Sequence, residues 1–327
     1  MENKKHSSDT TKVNYEKLRE RLFQINNSNY ANNIKRLIEK LSADRRPTLL
    51  MATGGSMAVA HYLKEVLEHL GVICTIIEPR DYNYMKNKYQ YSNLVAVSAS
   101  GKSNGIKEAL NDFRGNKYLI SEGIVEDYDC YTWGNETYEK EKSFISLSTS
   151  LGPMLLILNS IESVDNDRVV SLMDQSERRV NSLDHSFKND DIIQVMSGYD
   201  TMTPSTILES NLTETGCASI VVHEKGEFCH GRSNLSFNYP SSPVIYLQHN
   251  ENELDDLLKT LMNQEYGSIL QFDTLDLKES MFLREYYLSL QMFYLSKKIA
   301  EDKGIDITCP EYNPNVVKRV YKYRGQM

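Results

Sequence analysis

Short apolar runs, each ending in a turn of small or hydroxyl residues, restrict the fold of this sequence more than any other feature. Residues 49–52 and 94–97 are two such runs, and others lie at 72–77, 117–120, 192–196, 218–222 and 243–247. Segments with apolar residues at helical spacing, such as 57–70 and 106–113, separate them. Short buried strands that alternate with amphipathic helices are typical of βαβ units and parallel sheets. We therefore expect an α/β protein.

The pattern occurs twice, which agrees with a chain of 327 residues and about 150 residues per domain. A polar tail (1–11) and helical spacing over 13–41, interrupted at 26–29, precede the first copy. The second copy contains predicted helices at 204–216 and 253–262 and a long closing helix at 279–303. We predict an N-terminal tail and helices at 1–43, α/β domains at 44–170 and 171–305, and a C-terminal segment at 306–327.

Charge and composition exclude several classes of protein. The chain has 45 acidic and 37 basic residues, a net charge of −8, so we expect no nucleic-acid partner. Its first residues lack the apolar stretch of a secretory leader, and no apolar run is long enough to span a membrane, so we expect a cytoplasmic protein without membrane contact. The five cysteines share no CxxC spacing, and Cys217, Cys229 and His230 form a poor ligand set. We expect neither a metal nor another cofactor.

Two turns after predicted strands contain the residues of a phosphate site. They are 54–56 (Gly-Gly-Ser) and 98–103 (Ser-Ala-Ser-Gly-Lys-Ser). Glycine lets the backbone approach an anion closely, and the N-terminus of the following helix favours negative charge. Neither turn has the GxGxxG or GxxxxGK[ST] spacing of nucleotide sites. Helix capping by the serines is the alternative for either turn alone. The two turns together indicate a small phosphate group.

These motifs resemble those of the SIS (sugar isomerase) domain family, which binds phosphosugars. The 98–103 turn resembles its Ser-x-Ser-Gly-x-Thr/Ser phosphate loop, 53–56 its Gly-Thr-Ser turn, and Glu141 with 146–149 its Glu-x-x-Val-Ala-Ser-Thr-Lys helix start. The resemblance implies two SIS domains, each a flavodoxin-like three-layer sandwich with a parallel sheet between helices. It also implies a phosphate site at Gly55, Ser56, Ser98, Ser100 and Ser103, and sugar contacts from Glu141 and Ser146.

The second half lacks a hydroxyl loop, having Gly-Tyr-Asp-Thr at 198–201, but it contains candidate acid–base groups. Glu214 lies 16 residues before His230, the spacing of the catalytic glutamate and histidine in the isomerase domain of glucosamine-6-phosphate synthase. That family has Lys where this chain has Asn211. The resemblance assigns proton transfer between C1 and C2 to Glu214 and ring opening to His230. It implies a homodimer with shared active sites, because that histidine reaches across the dimer interface.

The C-terminal segment resembles two relatives in different ways. Lys318 is one position short of the sugar-contacting lysine of the synthase, and the Lys-Arg-x-Tyr ending at 318–321 resembles the tail of fructosamine 6-phosphate deglycases. The alternative is that the basic C-terminus is simply exposed to solvent and does not contact a sugar. The resemblance implies an aldose–ketose isomerase or a deglycase that acts on a hexose 6-phosphate or ketosamine 6-phosphate. A non-catalytic phosphosugar sensor is the other interpretation, although residues 1–43 are too few for a DNA-binding domain.

Overall fold

The computed structural model describes residues 4–134, 141, 145–250, 252–266 and 269–308. Its first sheet has five strands, all parallel, in the order β2-β1-β3-β4-β5. They are β1 (Thr48–Met51), β2 (Cys74–Ile77), β3 (Asn93–Val97), β4 (Asn116–Ser121) and β5 (Asp129–Thr132). This is the flavodoxin-like strand order.

The second sheet repeats the first four positions of this order. It contains β6 (Ile192–Ser197), β7 (Ser219–Glu224), β8 (Val244–Gln248) and β9 (Ile269–Asp273), all parallel and ordered β7-β6-β8-β9. The expected α/β class with two helix-flanked parallel sheets is confirmed. The apolar runs predicted seven of these nine strands, whereas β5 and β9 were not predicted because polar residues interrupt their apolar positions.

Eleven helices are described. The first six are α1 (Lys4–Asn26), α2 (Tyr30–Asp44), α3 (Ser56–His69), α4 (Asn104–Asp112), α5 (Ser148–Asn159) and α6 (Asn166–Asn181). The others are α7 (Met202–Glu214), α8 (Lys225–Glu227), α9 (Ser233–Asn238), α10 (Glu253–Tyr266) and α11 (Met281–Lys303), with a π-helical turn at Phe228–Arg232. Helix α1 begins inside the stretch predicted as a tail, and the predicted boundary at 170/171 falls within α6.

The two sheets share one large core, and each has a smaller core on its outer face. Strand β1 shows the division: Leu50 belongs to the shared core, whereas Leu49 and Met51 pack with α4 on the outer face. Helix α11 lies in the shared core and buries 16 of its 23 residues. Its aromatic residues Tyr286, Tyr287, Phe293 and Tyr294 are all among the buried ones. None of the helices described here is both long and apolar enough to cross a membrane.

Helices α3 and α7 occupy equivalent positions in the two halves and pack against each other in opposite directions. The start of α3 lies at the end of α7, since a Cβ on Gly54 would lie 3.1 Å from Glu214 Oε1. Farther along α3, Lys64 Nζ donates a hydrogen bond of 2.8 Å to the hydroxyl of Tyr199, just before α7. The carboxyl edge of the first sheet therefore meets the end of a helix from the second half.

Candidate functional site

The two hydroxyl-rich turns of the first half lie side by side. Strands β1 and β3 are neighbours with Met51 opposite Ala96, so the turns at 53–56 and 98–103 leave the same edge of the sheet. Helix α3 then packs on the shared-core face and α4 on the outer face. This is the point at which an open α/β sheet forms a crevice for a ligand. We refer to it as the carboxyl-edge crevice.

Three helices begin at this crevice. Helix α3 starts at Ser56 and α4 at Asn104, and α5 approaches because Ser150 Oγ donates a 3.4 Å hydrogen bond to the carbonyl oxygen of Gly55. Neither Gly55 nor Ser103, which precede the first two helices, makes a side-chain cap hydrogen bond. The first-turn N–H groups and the positive ends of the helices are therefore suited to an anion.

The 98–103 turn has a geometry that requires its glycine. Gly101 has φ +60°, and a Cβ there would lie 2.6 Å from Val125 Cγ2, so both the backbone conformation and the available space exclude a larger residue. Ser98 is buried, whereas Ser100 and Lys102 are exposed. The N–H of Lys102 donates to Ser100 Oγ at 3.2 Å. The serine at 100 is thus accessible from the crevice edge.

The carboxylate of Glu141 organises the start of α5. Its oxygens accept hydrogen bonds from the Ser146 hydroxyl (2.6 Å), the Ser148 hydroxyl (2.6 Å) and the N–H groups of residues 147 and 148. Arg21 Nη1 lies 3.0 Å from Oε1, and both side chains are almost completely buried. In this arrangement Glu141 and Ser146, predicted as sugar contacts, hold one another and the α5 N-terminus in position.

Glu214 is the residue that the fold adds to the crevice from the second half. Its Oε1 atom lies 3.1 Å from the Cβ position of Gly54, and the Ser210 hydroxyl donates to the same oxygen at 2.6 Å. The side chain is exposed, so a bound molecule can reach it. The hydroxyl turn at 53–56 and this carboxylate are therefore close together although 160 residues separate them in sequence.

Sequence reasoning missed Ser150 and Ser210. The position of Ser210, one helical turn before Glu214, is a signal that could have identified it as a partner. No comparable local signal marks Ser150, because its contact with Gly55 joins residues far apart in sequence. Asn211, which replaces the family's lysine, is buried and donates to Ser296 Oγ at 3.3 Å.

His230 lies far from Glu214 within one chain. Glu214 ends the helix before β7, and His230 follows the carboxyl end of that strand. Six strand residues at about 3.3 Å each separate the two positions by roughly 20 Å. His230 is exposed in a kinked turn, next to Gly231 at φ +95°. One chain therefore does not bring the two predicted acid–base groups together.

The turn after β6 in the second half contacts α3 through a tyrosine side chain. Tyr199 follows β6 as Gly54 follows β1, and its hydroxyl donates to Glu68 while accepting from Lys64. Lys64 also lies over the tyrosine ring, 4.5 Å from its centroid. These polar contacts join the turn after β6 to α3, with the Tyr199 side chain 64% exposed.

Two further observations complete the description of the crevice. Thr53, Gly54, Ser100 and Glu214 are all exposed, so the crevice is an open groove in one chain. Within the described ranges no three His, Cys, Asp or Glu side chains are grouped as a metal site. Lys318 lies outside the described residues.

The sequence matches no family model and no curated protein, but solved structures share its architecture. The C-terminal domain of glucosamine-fructose-6-phosphate aminotransferase from Francisella tularensis has a TM-score of 0.65 at 14% identity, covering 92% of this chain and 98% of that one. Tagatose-6-phosphate ketose/aldose isomerase from Escherichia coli gives 0.60 at 14%, covering 93% and 96%. Glucosamine-6-phosphate deaminase from Thermotoga maritima gives 0.58 at 16%, covering 89% and 97%.

These similarities extend over both sheets and nearly the whole length of each neighbour. Because the identities are low, they bear on the architecture of the chain and not on its reaction. The chain has the α/β fold, with two helix-flanked parallel sheets, of SIS-type phosphosugar isomerase structures.

Proposed function

We propose that this protein binds a hexose 6-phosphate or a 6-phosphorylated ketosamine in the carboxyl-edge crevice and acts on it as an aldose–ketose isomerase or a deglycase. The observation that carries the proposal is the position of the Glu214 carboxylate, 3.1 Å from the Cβ position of Gly54 in the first hydroxyl turn. An exposed carboxylate beside an anion-binding turn is the pairing that a phosphosugar isomerase requires.

The phosphate ester would bind at the starts of α3 and α4. Gly55 and Ser56 supply one set of donors, and Ser98, Ser100 and Ser103 supply the other. Uncapped helix N-termini contribute N–H groups and a favourable potential without the desolvation of a buried cation. Lys102, exposed in the same turn, adds a positive charge near the phosphate position.

Glu214 would transfer the proton between C1 and C2 of the opened sugar. Such a group must stay within hydrogen-bond reach of both carbons' protons through the reaction. The Ser210 hydroxyl, which donates to Oε1 at 2.6 Å, holds one oxygen and leaves Oε2 for the substrate. In the deglycase reaction the same transfer would convert the ketosamine into an aldosylamine, and water would then hydrolyse its C1–N bond to give the aldose phosphate and the free amine.

His230 of a second copy would open the sugar ring. The roughly 20 Å between Glu214 and His230 in one chain means that a site using both requires two chains. The open side of the crevice provides room for this contribution. Lys318 is the second group proposed to reach the sugar, from the C-terminal segment.

Three of the structures that share the fold are described by phosphosugar chemistry: an aminotransferase of fructose 6-phosphate, a ketose/aldose isomerase and a glucosamine-6-phosphate deaminase. A 6-phosphorylated sugar is common to these descriptions. They support the substrate class proposed here, and the choice between isomerase and deglycase is made by experiment.

The first experiment incubates the protein with hexose 6-phosphates and 6-phosphorylated ketosamines and follows interconversion and amine release. Glu214→Gln is expected to lower turnover by roughly 10²–10⁴-fold, the range for a lost general base, with ligand affinity nearly unchanged. Glu209→Gln, on the same helix, is the matched control. Equal turnover by Glu214→Gln and the unaltered protein would refute the role of Glu214.

Binding is tested separately by calorimetry. Ser100→Ala should weaken the binding of a hexose 6-phosphate by about tenfold, because one hydrogen bond to a charged ligand is lost. Ser42→Ala, on α2, is the control. Unchanged affinity in Ser100→Ala would exclude the phosphate position. If the unaltered protein binds the phosphosugar but does not turn over any member of the panel, the result supports the sensor interpretation. The replacement of lysine by Asn211 weakens the isomerase more than the deglycase.

The shared site is tested by mixing two inactive variants, Glu214→Gln and His230→Ala. In a mixed dimer one of the two sites has both residues intact, so random exchange should restore about a quarter of the activity. If both residues act within one chain, no site in the mixture is intact and activity stays absent. That result would exclude the two-chain arrangement.

A further inference from the structure

A surface cavity lies at the opposite edge of the first sheet from the crevice. Its volume is about 530 Å³. Its walls include Arg46, two residues before β1, Ser92, directly before β3, and Asn116 at the start of β4. These are the amino ends of the strands, about 16 Å along β3 from the crevice. The cavity is therefore separate from the candidate active site.

The lining of this cavity is positively charged. It includes Arg46, Lys88 and Arg114 and no acidic residue. Two carboxylates stand beside it: Asp112 pairs with Lys88 at 2.6 Å, and Asp44 accepts from Arg46 at 2.5 Å. The neighbourhood thus has three positive and two negative charges in a chain whose net charge is −8. No ion pair joins Arg114 to any residue in the described part of the chain.

The same cavity has aromatic walls. Tyr82, Tyr89 and Tyr91 line it, and Tyr89 is 65% exposed. Arg114 Cζ lies 5.4 Å from the centroid of the Tyr89 ring, and Lys88 Nζ lies 4.4 Å from that of Tyr82. An exposed ring next to cations, such as Tyr89, can stack on a planar group while the cations hold an anion. The cavity volume also falls within the range of about 300–1,000 Å³ typical of small-molecule sites.

We propose that this cavity is a second ligand site, which binds a nucleoside monophosphate with its base against Tyr89 and its phosphate at Arg46 and Arg114. A phosphosugar alone would use the cations and leave the tyrosines unoccupied. A neutral aromatic ligand would use the tyrosines and leave the cations unoccupied. A nucleotide uses both sets of groups, which is why we choose this class.

The test is calorimetric titration of the full chain with AMP in phosphate-free buffer. Tyr89→Ala should weaken AMP binding at least about fivefold, the effect of losing one base–aromatic stack. Arg114→Ala should weaken it about tenfold through loss of a charged hydrogen bond. Both side chains are exposed, so the fold should tolerate either change. Arg36→Ala, an exposed arginine on α2, is the control and should bind AMP as the unaltered protein does.

Ribose 5-phosphate, which has the sugar and phosphate but no base, is the second probe. Ribose 5-phosphate should compete only weakly with AMP at this site. Tyr89→Ala should leave the affinity for ribose 5-phosphate unchanged. Absence of AMP binding, or AMP binding that both substitutions leave intact, would overturn the proposal. So would loss of AMP binding in Ser100→Ala, which would place the nucleotide in the carboxyl-edge crevice. These outcomes do not depend on whether the protein turns over a phosphosugar.

Discussion

Two buried carboxyl groups between the halves should make the stability of this protein fall as pH rises. Glu65 on α3 is 7% exposed and Glu285 on α11 is 1% exposed. Neither Glu65 Oε2 nor Glu285 Oε1 has a hydrogen-bond partner among the described residues. Burial raises the pKa of both carboxyls. The adjacent Glu285 carboxyl raises the pKa of Glu65 further, whereas Glu65 and Thr203 oppose the rise in the pKa of Glu285. Glu65 therefore keeps its proton in the folded protein near pH 7.

The magnitude follows from proton linkage. An unfolded glutamate has a pKa near 4.5, so above that pH the folded chain holds a proton that the unfolded chain has released. The retained proton makes its full contribution to the free energy of unfolding below pH 4.5. It falls by about 1.4 kcal/mol per pH unit as pH rises towards the folded pKa. Between pH 5 and pH 8 the proton that Glu65 retains costs about 4 kcal/mol.

Glu65→Gln removes one titrating group with little change in volume. The free energy of unfolding of the variant, relative to the unaltered protein, should therefore be about 4 kcal/mol higher at pH 8 than at pH 5. Urea denaturation at pH 5, 6, 7 and 8 measures this difference, in which any constant effect of the amide cancels. Glu108→Gln, at an exposed position on α4, should show no such trend. If the free energies of unfolding of Glu65→Gln and the unaltered protein change in parallel with pH, the buried Glu65 carboxyl is not neutral in the folded protein.

Two further substitutions test the crevice and its support. Gly54→Ala should cost about 1–2 kcal/mol of stability because φ is +56°, and should lower turnover on the order of tenfold by displacing Glu214. Gly71→Ala is the control, because Gly71 has φ +83° and nothing lies within 4 Å of its Cβ position. This variant should lose a similar amount of stability but keep its activity. Equal turnover by Gly54→Ala and Gly71→Ala would contradict the contact between Gly54 and Glu214. Arg21→Met should cost about 3–5 kcal/mol, measured by urea denaturation, because it leaves the buried Glu141 carboxylate without its cation. A loss below about 1 kcal/mol would show that the pair is not maintained.

The strand and helix pattern could be predicted because it depends on local chemistry. Apolar runs of four to six residues are long enough for a buried strand, and a glycine such as Gly71 ends a helix where its positive φ is needed. Strands β5 and β9 were missed because polar residues occupy about half of their positions and no local rule distinguishes them from loops. The same locality explains why the start of α1 was taken for a tail: its first turns lack apolar spacing.

By itself, therefore, the sequence determined the α/β class, the two copies of the pattern and the hydroxyl turns after β1 and β3, because each is a property of residues close together in the chain. Only the tertiary structure decided which distant groups meet. It placed Glu214 beside Gly54, engaged Glu141 with Arg21 and the start of α5, and separated His230 from Glu214 within one chain. The reason is that the packing of α3 against α7 sets how the two sheets face each other, and that packing depends on side chains from both halves at once.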